Sequence, residues 1–257
     1  NQLSGKITCS GAKNAALPVI AASLLTDDDV VLQNLPHLQD ITTMFELINS
    51  MGAEISLDEN MFFKIKTSNI KSFEARYELV KTMRASILVL GSMTAKFGKA
   101  KIALPGGCAI GTRPVNYHLD ALKKLGADIS LTNGYIEARA KRLKGADIKL
   151  GGITVTGTEN IMMAATLAEG ITTLTNVAKE PEVVDLANFL NGMGAKIYGA
   201  GTDSIRIEGV ASLKGCQYEI PPDRIEAGTY LIAAALTNGS IKINKIGPDR
   251  LTTVIQK

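Results

Sequence analysis

The fold is decided by three versions of one pattern: ELINSMGAEISL (residues 46–57), ALKKLGADISL (121–131) and FLNGMGAKIYG (189–199). Each version contains a Gly-Ala pair, at Gly52, Gly126 and Gly194, so the pairs are spaced by 74 and 68 residues. An amphipathic segment precedes each pair, and a short strand-like run follows it. Because glycine readily adopts the left-handed conformation that ends a helix, the pattern predicts helix, glycine and strand in every copy.

Four small-residue runs repeat with a similar period. They are apolar nearly all round, which is typical of helices buried on every side, and they read AALPVIAASLL (15–25), ASILVLGSMTA (85–95), IMMAATLAEG (161–170) and YLIAAALTNG (230–239). A predicted strand follows each run. The strands end at Asn34, Leu104, Asn176 and Asn244, which are 70, 72 and 68 residues apart. The sequence therefore predicts an α/β protein of βαβαββ units with pseudo-threefold symmetry and helices packed inside.

Composition excludes several classes of function. The 257 residues are 46% hydrophobic, and 28 basic against 25 acidic side chains leave a net charge of only +3, without a basic run. A nucleic-acid-binding face is therefore not expected. Three cysteines without a CxxC pair and two histidines predict neither a disulfide framework nor a metal site. The run 15–25 is too short to span a membrane, so no membrane association is expected.

One connection, LPGGCAIGTRP (104–114), is longer than its equivalents. In copies one, three and four the proline stands two, five and four positions after the strand end, whereas in this copy it stands ten positions after. A glycine-rich addition to a repeated scaffold is usually functional. Cys108 is therefore either a reactive thiol, activated by Arg113 and by the helix that Pro114 opens, or a turn cysteine without a role.

A second candidate functional segment is SGAKNAALP (10–18). Proline is poorly tolerated deep in a helix, so Pro18 predicts a helix that begins near Ala16 or Leu17. Lys13 and Asn14 would then lie in the approach to a helix N-terminus, which attracts anions. The alternative is a solvated lysine in front of a core helix.

The same position recurs in the other copies. Arg84 immediately precedes the second buried run and is either paired structurally or directed at an anion. TVTGTEN (154–160) brings Thr154 to this position in the third copy, and PPDRIEAGT (221–229) brings Arg224 to it in the fourth. Four equivalent helix N-termini with these side chains favour the binding of phosphate-like groups.

With these residues in view, the chain resembles the enolpyruvyl transferases. The motifs that carry the resemblance extend over nearly the whole chain and are SGAKNAALP, VKTMRAS, LPGGCAIGTRPVNYH, AATLAEG, EPEVVD and PDRIEAGT. The cysteine loop resembles the branch of the family that acts on UDP-N-acetylglucosamine, and the branch that acts on shikimate 3-phosphate shares the repeats but not this loop.

The resemblance implies an inside-out α/β barrel of the enolpyruvyl transferase type, in which two similar domains close over the substrates. Residues 13–221 would form one three-repeat domain. The strand within 1–12 and the segment 222–257 would belong to the second domain. The fourth copy stops before its expected glycine, so we expect the chain to be part of a longer protein.

The resemblance also implies a reaction: transfer of the enolpyruvyl group of phosphoenolpyruvate to the 3-hydroxyl of UDP-N-acetylglucosamine, with release of phosphate and with no metal or organic cofactor. Cys108 would donate a proton to the vinyl carbon and form a covalent adduct, with Lys13 and Arg113 also catalytic. Lys13 and Asn14 would bind phosphoenolpyruvate. The residues assigned to the sugar nucleotide are Arg84, Arg113, Pro114, Val115, Asn116, Tyr117, Thr154 and Val155.

The chain departs from the family's pattern in two respects. Asn116 and Tyr117 stand where other family members often have Asp and Leu, so their contacts to uracil would differ. The general base of the family would lie beyond Lys257, so the chain alone would be inactive. A non-catalytic domain that binds sugar nucleotides and a shikimate-pathway synthase remain alternatives. A cytoplasmic location is expected because the substrates are cytoplasmic, and the oligomeric state is left open.

Overall fold

The computed structural model describes residues 2–104 and 115–256. Within these ranges the strands are, in chain order, β1 (Ser4–Thr8), β2 (Val30–Gln33), β3 (Glu54–Leu57), β4 (Phe63–Lys66), β5 (Glu74–Ala75), β6 (Lys99–Ala103), β7 (Asp128–Thr132), β8 (Tyr135–Arg139), β9 (Asp147–Lys149), β10 (Ile171–Thr175), β11 (Lys196–Tyr198), β12 (Ser204–Glu208), β13 (Gln217–Glu219) and β14 (Ser240–Asn244).

The α-helices of the same ranges are α1 (Lys13–Ala22), α2 (Gln39–Met51), α3 (Tyr77–Val80), α4 (Val89–Phe97), α5 (Asn116–Lys124), α6 (Val155–Thr166), α7 (Pro181–Gly192), α8 (Arg224–Leu236) and α9 (Thr252–Ile255). Short 3₁₀ segments precede or follow three of them, at Ser23–Leu25, Arg84–Leu88 and Pro248–Leu251.

Three four-stranded sheets have the same topology, in the orders β13-β2-β4-β3, β5-β6-β8-β7 and β9-β10-β12-β11. The first two strands of each order are parallel, and the remaining neighbours are antiparallel. In the second and third sheets the parallel strands are joined through a buried helix, which provides the crossover that parallel pairing requires. The predicted repeat is thereby confirmed.

The first sheet takes its parallel edge strand from a distant part of the chain. Its parallel edge strand is β13, which comes from residues 217–219 rather than from the start of the chain. The strand β1 instead pairs in parallel with β14, from Ser4 opposite Ser240 to Thr8 opposite Asn244. The described strands therefore form three separate sheets around helices, together with this two-stranded pair, and not one continuous closed barrel.

The core consists of α1, α4 and α6, as the small-residue runs predict. The apolar side chains of these helices are almost entirely buried in one cluster that extends to all three sheets. Small residues let the helix backbones approach closely. A Cβ atom built on Gly91 of α4 would lie 2.2 Å from the backbone oxygen of Asn160 on α6, so only glycine fits there. The helices lie inside and the sheets outside, which confirms the inside-out arrangement.

The amphipathic helices α2, α5 and α7 end as the repeated Gly-Ala pairs predict. Gly52, Gly126 and Gly194 have φ angles of 115°, 92° and 98°, which is the left-handed conformation that terminates a helix. The following alanine turns the chain into β3, β7 or β11.

The fourth small-residue run departs from the prediction of a fully buried helix. Only Ala227, Gly228 and Ala234 of α8 are buried in the described structure, while Leu236 is 82% exposed. The physical reason is that α8 packs on the β1–β14 pair and on the 3₁₀ turn at Pro248–Leu251, and not in the three-helix core. Among the described residues, no helix has the length and apolar character needed to cross a bilayer.

Candidate functional site

Three helical segments begin at the wall of one cavity of about 670 Å³. They are α1, the 3₁₀ segment that leads into α4, and α6, so the cavity is lined by Lys13, Arg84 and Thr154. The first N–H groups of a helix have no partners within the helix and carry a partial positive charge. This concentration of helix N-termini and cationic side chains makes the cavity suitable for an anion.

Lys13 is the first residue of α1, which corrects the prediction that this helix begins at Ala16 or Leu17. The amides of Ala15 and Ala16 already donate to the carbonyl of Ala12, at 3.2 and 2.9 Å. Pro18 lies inside the helix, where it forgoes one backbone hydrogen bond, and it is fully packed in the core. Lys13 and Asn14 therefore project from the first helical turn itself.

Asp40 is a residue of the cavity that the sequence did not reveal. It lies in the first turn of α2, and its Oδ2 accepts a hydrogen bond from Lys13 Nζ at 2.7 Å. Both side chains are about one-third exposed, at 37% for Lys13 and 33% for Asp40. Asp40 thus holds the ammonium group at the cavity wall.

Arg84 opens the 3₁₀ segment that precedes α4 and lies near the buried His118 of α5. Burial, and secondarily the charge of Arg84, lower the pKa of His118 to about 4. His118 is 2% exposed. The imidazole is therefore neutral at physiological pH. His118 lies in the quoted cysteine-loop motif, but sequence analysis gave it no role.

Thr154 is the N-cap of α6. Its hydroxyl oxygen accepts from the amide of Gly157 at 3.2 Å, and its carbonyl accepts from the amide of Thr158 at 3.0 Å. Val155 and Thr156 follow in the first turn and also line the cavity. Their backbone amides belong to the group that an α-helix leaves without intrahelical partners, so they can donate to a bound oxygen.

Tyr117 packs directly on a pair of glycines. A Cβ atom added to Gly151 would lie 2.7 Å from Cε1 of the ring, and one added to Gly152 would lie 2.9 Å from Cε2. The ring separates the main cavity from a smaller one of about 360 Å³, which lies beside Lys123, Lys124 and Lys149. Of its neighbours, Asn116 is exposed and Val115 is partly buried, and neither lines the main cavity.

Three predicted site residues, Cys108, Arg113 and Pro114, lie outside the described residues. The described chain reaches Leu104 after β6 and resumes at Val115 before α5. The fourth helix start is not part of the cavity. Arg224 of α8 instead forms a two-pronged ion pair with Glu182 of α7, from Nε to Oε1 at 2.9 Å and from Nη2 to Oε2 at 3.0 Å.

A larger open cleft of about 890 Å³ lies along the second sheet, and two of its lysines already have partners. Lys101 pairs with Glu74 at 3.2 Å, and the ammonium of Lys99 lies 4.1 Å from the ring centroid of Phe73. In the described part of the chain, no group of three metal-ligating side chains comes together. The smaller cavity at Lys13 is the candidate functional site because three helical segments begin at its wall.

The model of the family "EPSP synthase (3-phosphoshikimate 1-carboxyvinyltransferase)" matches residues 1–257. The chain belongs to the EPSP synthase family. This result agrees with the repeated units of the fold and with the cavity at the starts of the inner helices.

The curated relatives have a more specific name than the family model. A UDP-N-acetylglucosamine 1-carboxyvinyltransferase from Coxiella burnetii is 59% identical over 256 residues, which are 99% of this chain and 59% of that protein. One of the same name from Hydrogenovibrio crunogenus is 57% identical over 256 residues, 100% of this chain and 61% of the relative. The chain thus spans about three-fifths of the length of these relatives.

Solved structures of enolpyruvyl transferases share the fold. The enolpyruvyl transferase NikO from Streptomyces tendae matches with a TM-score of 0.85 at 24% identity, over 100% of this chain and 61% of that one. An EPSP synthase from Acinetobacter baumannii matches with a TM-score of 0.77 at 21% identity, over 99% and 58%. These likenesses support the inside-out α/β fold.

Proposed function

We propose that the protein transfers the enolpyruvyl group of phosphoenolpyruvate to the 3-hydroxyl of UDP-N-acetylglucosamine and releases phosphate, a step in the formation of the cell wall. The observation that carries this proposal is the cavity where Lys13, Arg84 and the start of α6 meet, because both substrates are polyanions. The names of the relatives that are 57–59% identical support the choice of acceptor.

In the proposed reaction, the sugar hydroxyl adds to the central carbon of phosphoenolpyruvate while the Cys108 thiol gives a proton to the vinyl carbon. The proton of the sugar hydroxyl passes to a base. Loss of phosphate from the central carbon and of a proton from the former vinyl carbon then restores the double bond. An acid at the vinyl carbon and cations around the phosphate are what this addition requires. We assign the acid to Cys108 and the cations to Lys13, Arg84 and Arg113.

The same proposal assigns binding roles along the cavity. Lys13 and Asn14 bind phosphoenolpyruvate. The sugar nucleotide binds along residues 113–117 and at Thr154 and Val155, with its pyrophosphate at the N-terminus of α6. Lining of the cavity by Lys13, Asn14, Tyr117, Thr154 and Val155 supports these roles. The proposed reaction needs no metal or organic cofactor. We also propose that the protein is cytoplasmic, because both substrates are made in the cytoplasm.

We further propose that residues 13–221 form one domain and that 1–12 and 222–257 belong to a second. The pairing of β1 with β14 supports this division, because it joins the two ends of the chain in a sheet of their own. The completion of the first sheet by β13 supports a boundary after residue 219.

The test uses the protein at its full natural length. Purified protein is incubated with phosphoenolpyruvate and either UDP-N-acetylglucosamine or shikimate 3-phosphate, and released phosphate is measured. We expect phosphate to be released when the acceptor is the sugar nucleotide and not when it is shikimate 3-phosphate. Release with shikimate 3-phosphate alone would support the other branch of the family, and binding without turnover would support a non-catalytic domain.

The role of Cys108 is tested by substitution. Cys108→Ala should lower turnover by about 10²–10⁴-fold, the usual contribution of a general acid. Cys216→Ala is the matched control and should leave turnover unchanged, because Cys216 lies before β13 and away from the cavity. Burial raises the pKa of the Cys216 thiol, so an alkylating agent should modify Cys108 first. Equal turnover of the two variants would contradict the assignment.

A further inference from the structure

The side-chain amide of Asn160, next to the cavity, has a hydrogen-bond partner at both its oxygen and its nitrogen. Asn160 of α6 is fully buried, and its Oδ1 accepts from the amide of Gly91 on α4 at 2.6 Å. A backbone amide can only donate, so this contact fixes which end of the side chain is the oxygen. The absence of a side chain at Gly91 is what allows this approach, since a Cβ there would lie 2.3 Å from Oδ1.

The other end of Asn160 is therefore the NH₂ group, with two hydrogens to donate. Its Nδ2 lies 3.0 Å from the carbonyl oxygen of Ile87 and 3.0 Å from Nδ1 of His118. The carbonyl can only accept, and the second hydrogen points to the ring. His118 Nδ1 consequently acts as an acceptor and carries no proton.

A neutral imidazole without a proton on Nδ1 carries it on Nε2. The hydroxyl of Thr156, in the first turn of α6, lies 3.5 Å from His118 Nε2. His118 and Thr156 both line the cavity. Burial, and secondarily the positive charge of Arg84, oppose a second proton on the ring. The Nε2–H group thus lies beside Thr156, where both residues line the cavity.

We propose that Asn160 holds His118 in its Nε2–H form and that this hydrogen is donated to an oxygen of the nucleotide-sugar substrate beside Thr156. The inference rests on the proposed function, because it takes the nucleotide sugar as the occupant of the cavity. His118 is then a binding residue, and Asn160 is a positioning residue that acts through it. The chain obtains a neutral donor whose charge stays constant over the physiological pH range.

The tautomer is tested directly by NMR. Two-bond ¹H–¹⁵N spectra of the full-length protein distinguish protonated from bare ring nitrogens, and the His118 signals are assigned by their loss in His118→Gln. We expect Nε2 protonated and Nδ1 bare from pH 5 to pH 8. A proton on Nδ1, or a doubly protonated ring at pH 6, overturns the proposal.

The role of the donor is tested by calorimetry with UDP-N-acetylglucosamine. His118→Leu should weaken binding at least about 10-fold, whereas His118→Gln, which can present an amide hydrogen near the former Nε2, should stay within about threefold of the wild type. Asn160→Asp replaces a donor to Nδ1 with an acceptor. It should move the proton to Nδ1 in the NMR spectrum and weaken binding at least about 10-fold.

Asn191→Asp is the control, since the exposed Asn191 of α7 also bonds a backbone amide and a carbonyl, those of Ile197, but lies outside the cavity. It should not change the affinity. If Asn160→Asp moves the proton and binding is unchanged, the donor role is overturned. If the wild type binds no UDP-N-acetylglucosamine, the proposed function and the donor role both fail. The NMR spectrum still decides the tautomer in that case, so the two failures are distinguishable.

Discussion

At the scale of single residues, the ion pair between Lys13 and Asp40 governs how strongly the cavity attracts an anion. Asp40→Asn removes the negative charge and keeps an oxygen that can accept from Lys13. We expect phosphoenolpyruvate to bind about threefold more tightly at low salt, and the gain to shrink in 0.5 M salt as charges are screened. The pair is partly exposed and contributes only about 0.2–1 kcal/mol, so unfolding in urea should hardly change.

Asp203→Asn is the control for this prediction. Asp203 forms an ion pair with Lys179 at 2.5 Å, but its side chain is 92% exposed and the pair is not in the cavity. Binding should be unaffected in this variant. Weaker binding in Asp40→Asn would mean that Asp40 instead orients Lys13 for the ligand.

Also at the residue scale, Glu159 makes stability depend on pH. Its side chain is 1% exposed, and Oε1 has no hydrogen-bond partner among the described residues. Burial, followed by the charges of Glu182 and Glu180, raises its pKa well above the usual value. The folded state therefore binds the proton more tightly than the unfolded state, and stability falls as pH rises from the unfolded pKa towards the folded one.

Glu159→Gln retains the shape and removes the titration. The variant should be about as stable as the wild type near pH 4 and more stable at neutral pH, with the difference growing by at most about 1.4 kcal/mol per pH unit. Urea unfolding of both proteins from pH 4 to 8 measures this difference in the free energy of unfolding. The exposed Glu169→Gln should follow the wild-type curve. A difference that is constant with pH would show that Glu159 is not the titrating group.

At the scale of elements, the loop before α6 contacts the start of α5, because Gly151 and Gly152 pack against the ring of Tyr117. Gly151→Ala would place a Cβ atom 2.7 Å from the ring, so the ring must move. We expect this variant to bind UDP-N-acetylglucosamine about 10-fold more weakly. Tyr117→Leu in the same chain should recover part of the loss, because the shorter side chain leaves room for the alanine.

Recovery of affinity in the double variant would show that Gly151→Ala acts by displacing the Tyr117 ring and not by disrupting the fold. Gly192→Ala on α7 is the matched control, since its nearest neighbour would be Cys216 Sγ at 4.0 Å, and it should bind normally. Additive losses in the double variant would contradict a direct coupling between Gly151 and Tyr117.

At the scale of the whole molecule, two arginines attach the chain's final segment to α7. Arg224 of α8 pairs with Glu182, and Arg250 of the 3₁₀ turn at Pro248–Leu251 pairs with Asp185. Both carboxylates are about 95% buried. Burial raises the pKa of Asp185, and the hydrogen bond from Arg250 opposes that rise. The two ion pairs connect the segment to the three-sheet unit.

Arg224→Ala leaves the buried Glu182 without its partner, so it should cost about 3 kcal/mol in urea unfolding and loosen α8 in hydrogen exchange. The double variant Arg224→Met/Glu182→Leu should recover most of the loss. Arg206→Ala, which breaks an exposed pair with Glu208, should cost less than about 1 kcal/mol. A loss in Arg224→Ala as small as that control would contradict the role of the pair.

The sequence by itself determined the repeated unit and the fold class, because helix ends and small-residue runs depend on local backbone conformation and on side-chain size. Gly52, Gly126 and Gly194 end their helices as predicted for this reason. It also indicated Lys13, Arg84 and Thr154, since an equivalent position in each repeat places each of them at a helix start.

Only the tertiary structure decided which distant residues meet. Asp40 lies 27 residues from Lys13, and Asn160 lies 42 residues from His118, so no local pattern signals either contact. The pairing of β13 with β2 in the first sheet is likewise a matter of long-range contact. Whether a charged group is free or paired, as Arg224 is with Glu182, depends on burial and distance, which arise only when the elements pack together.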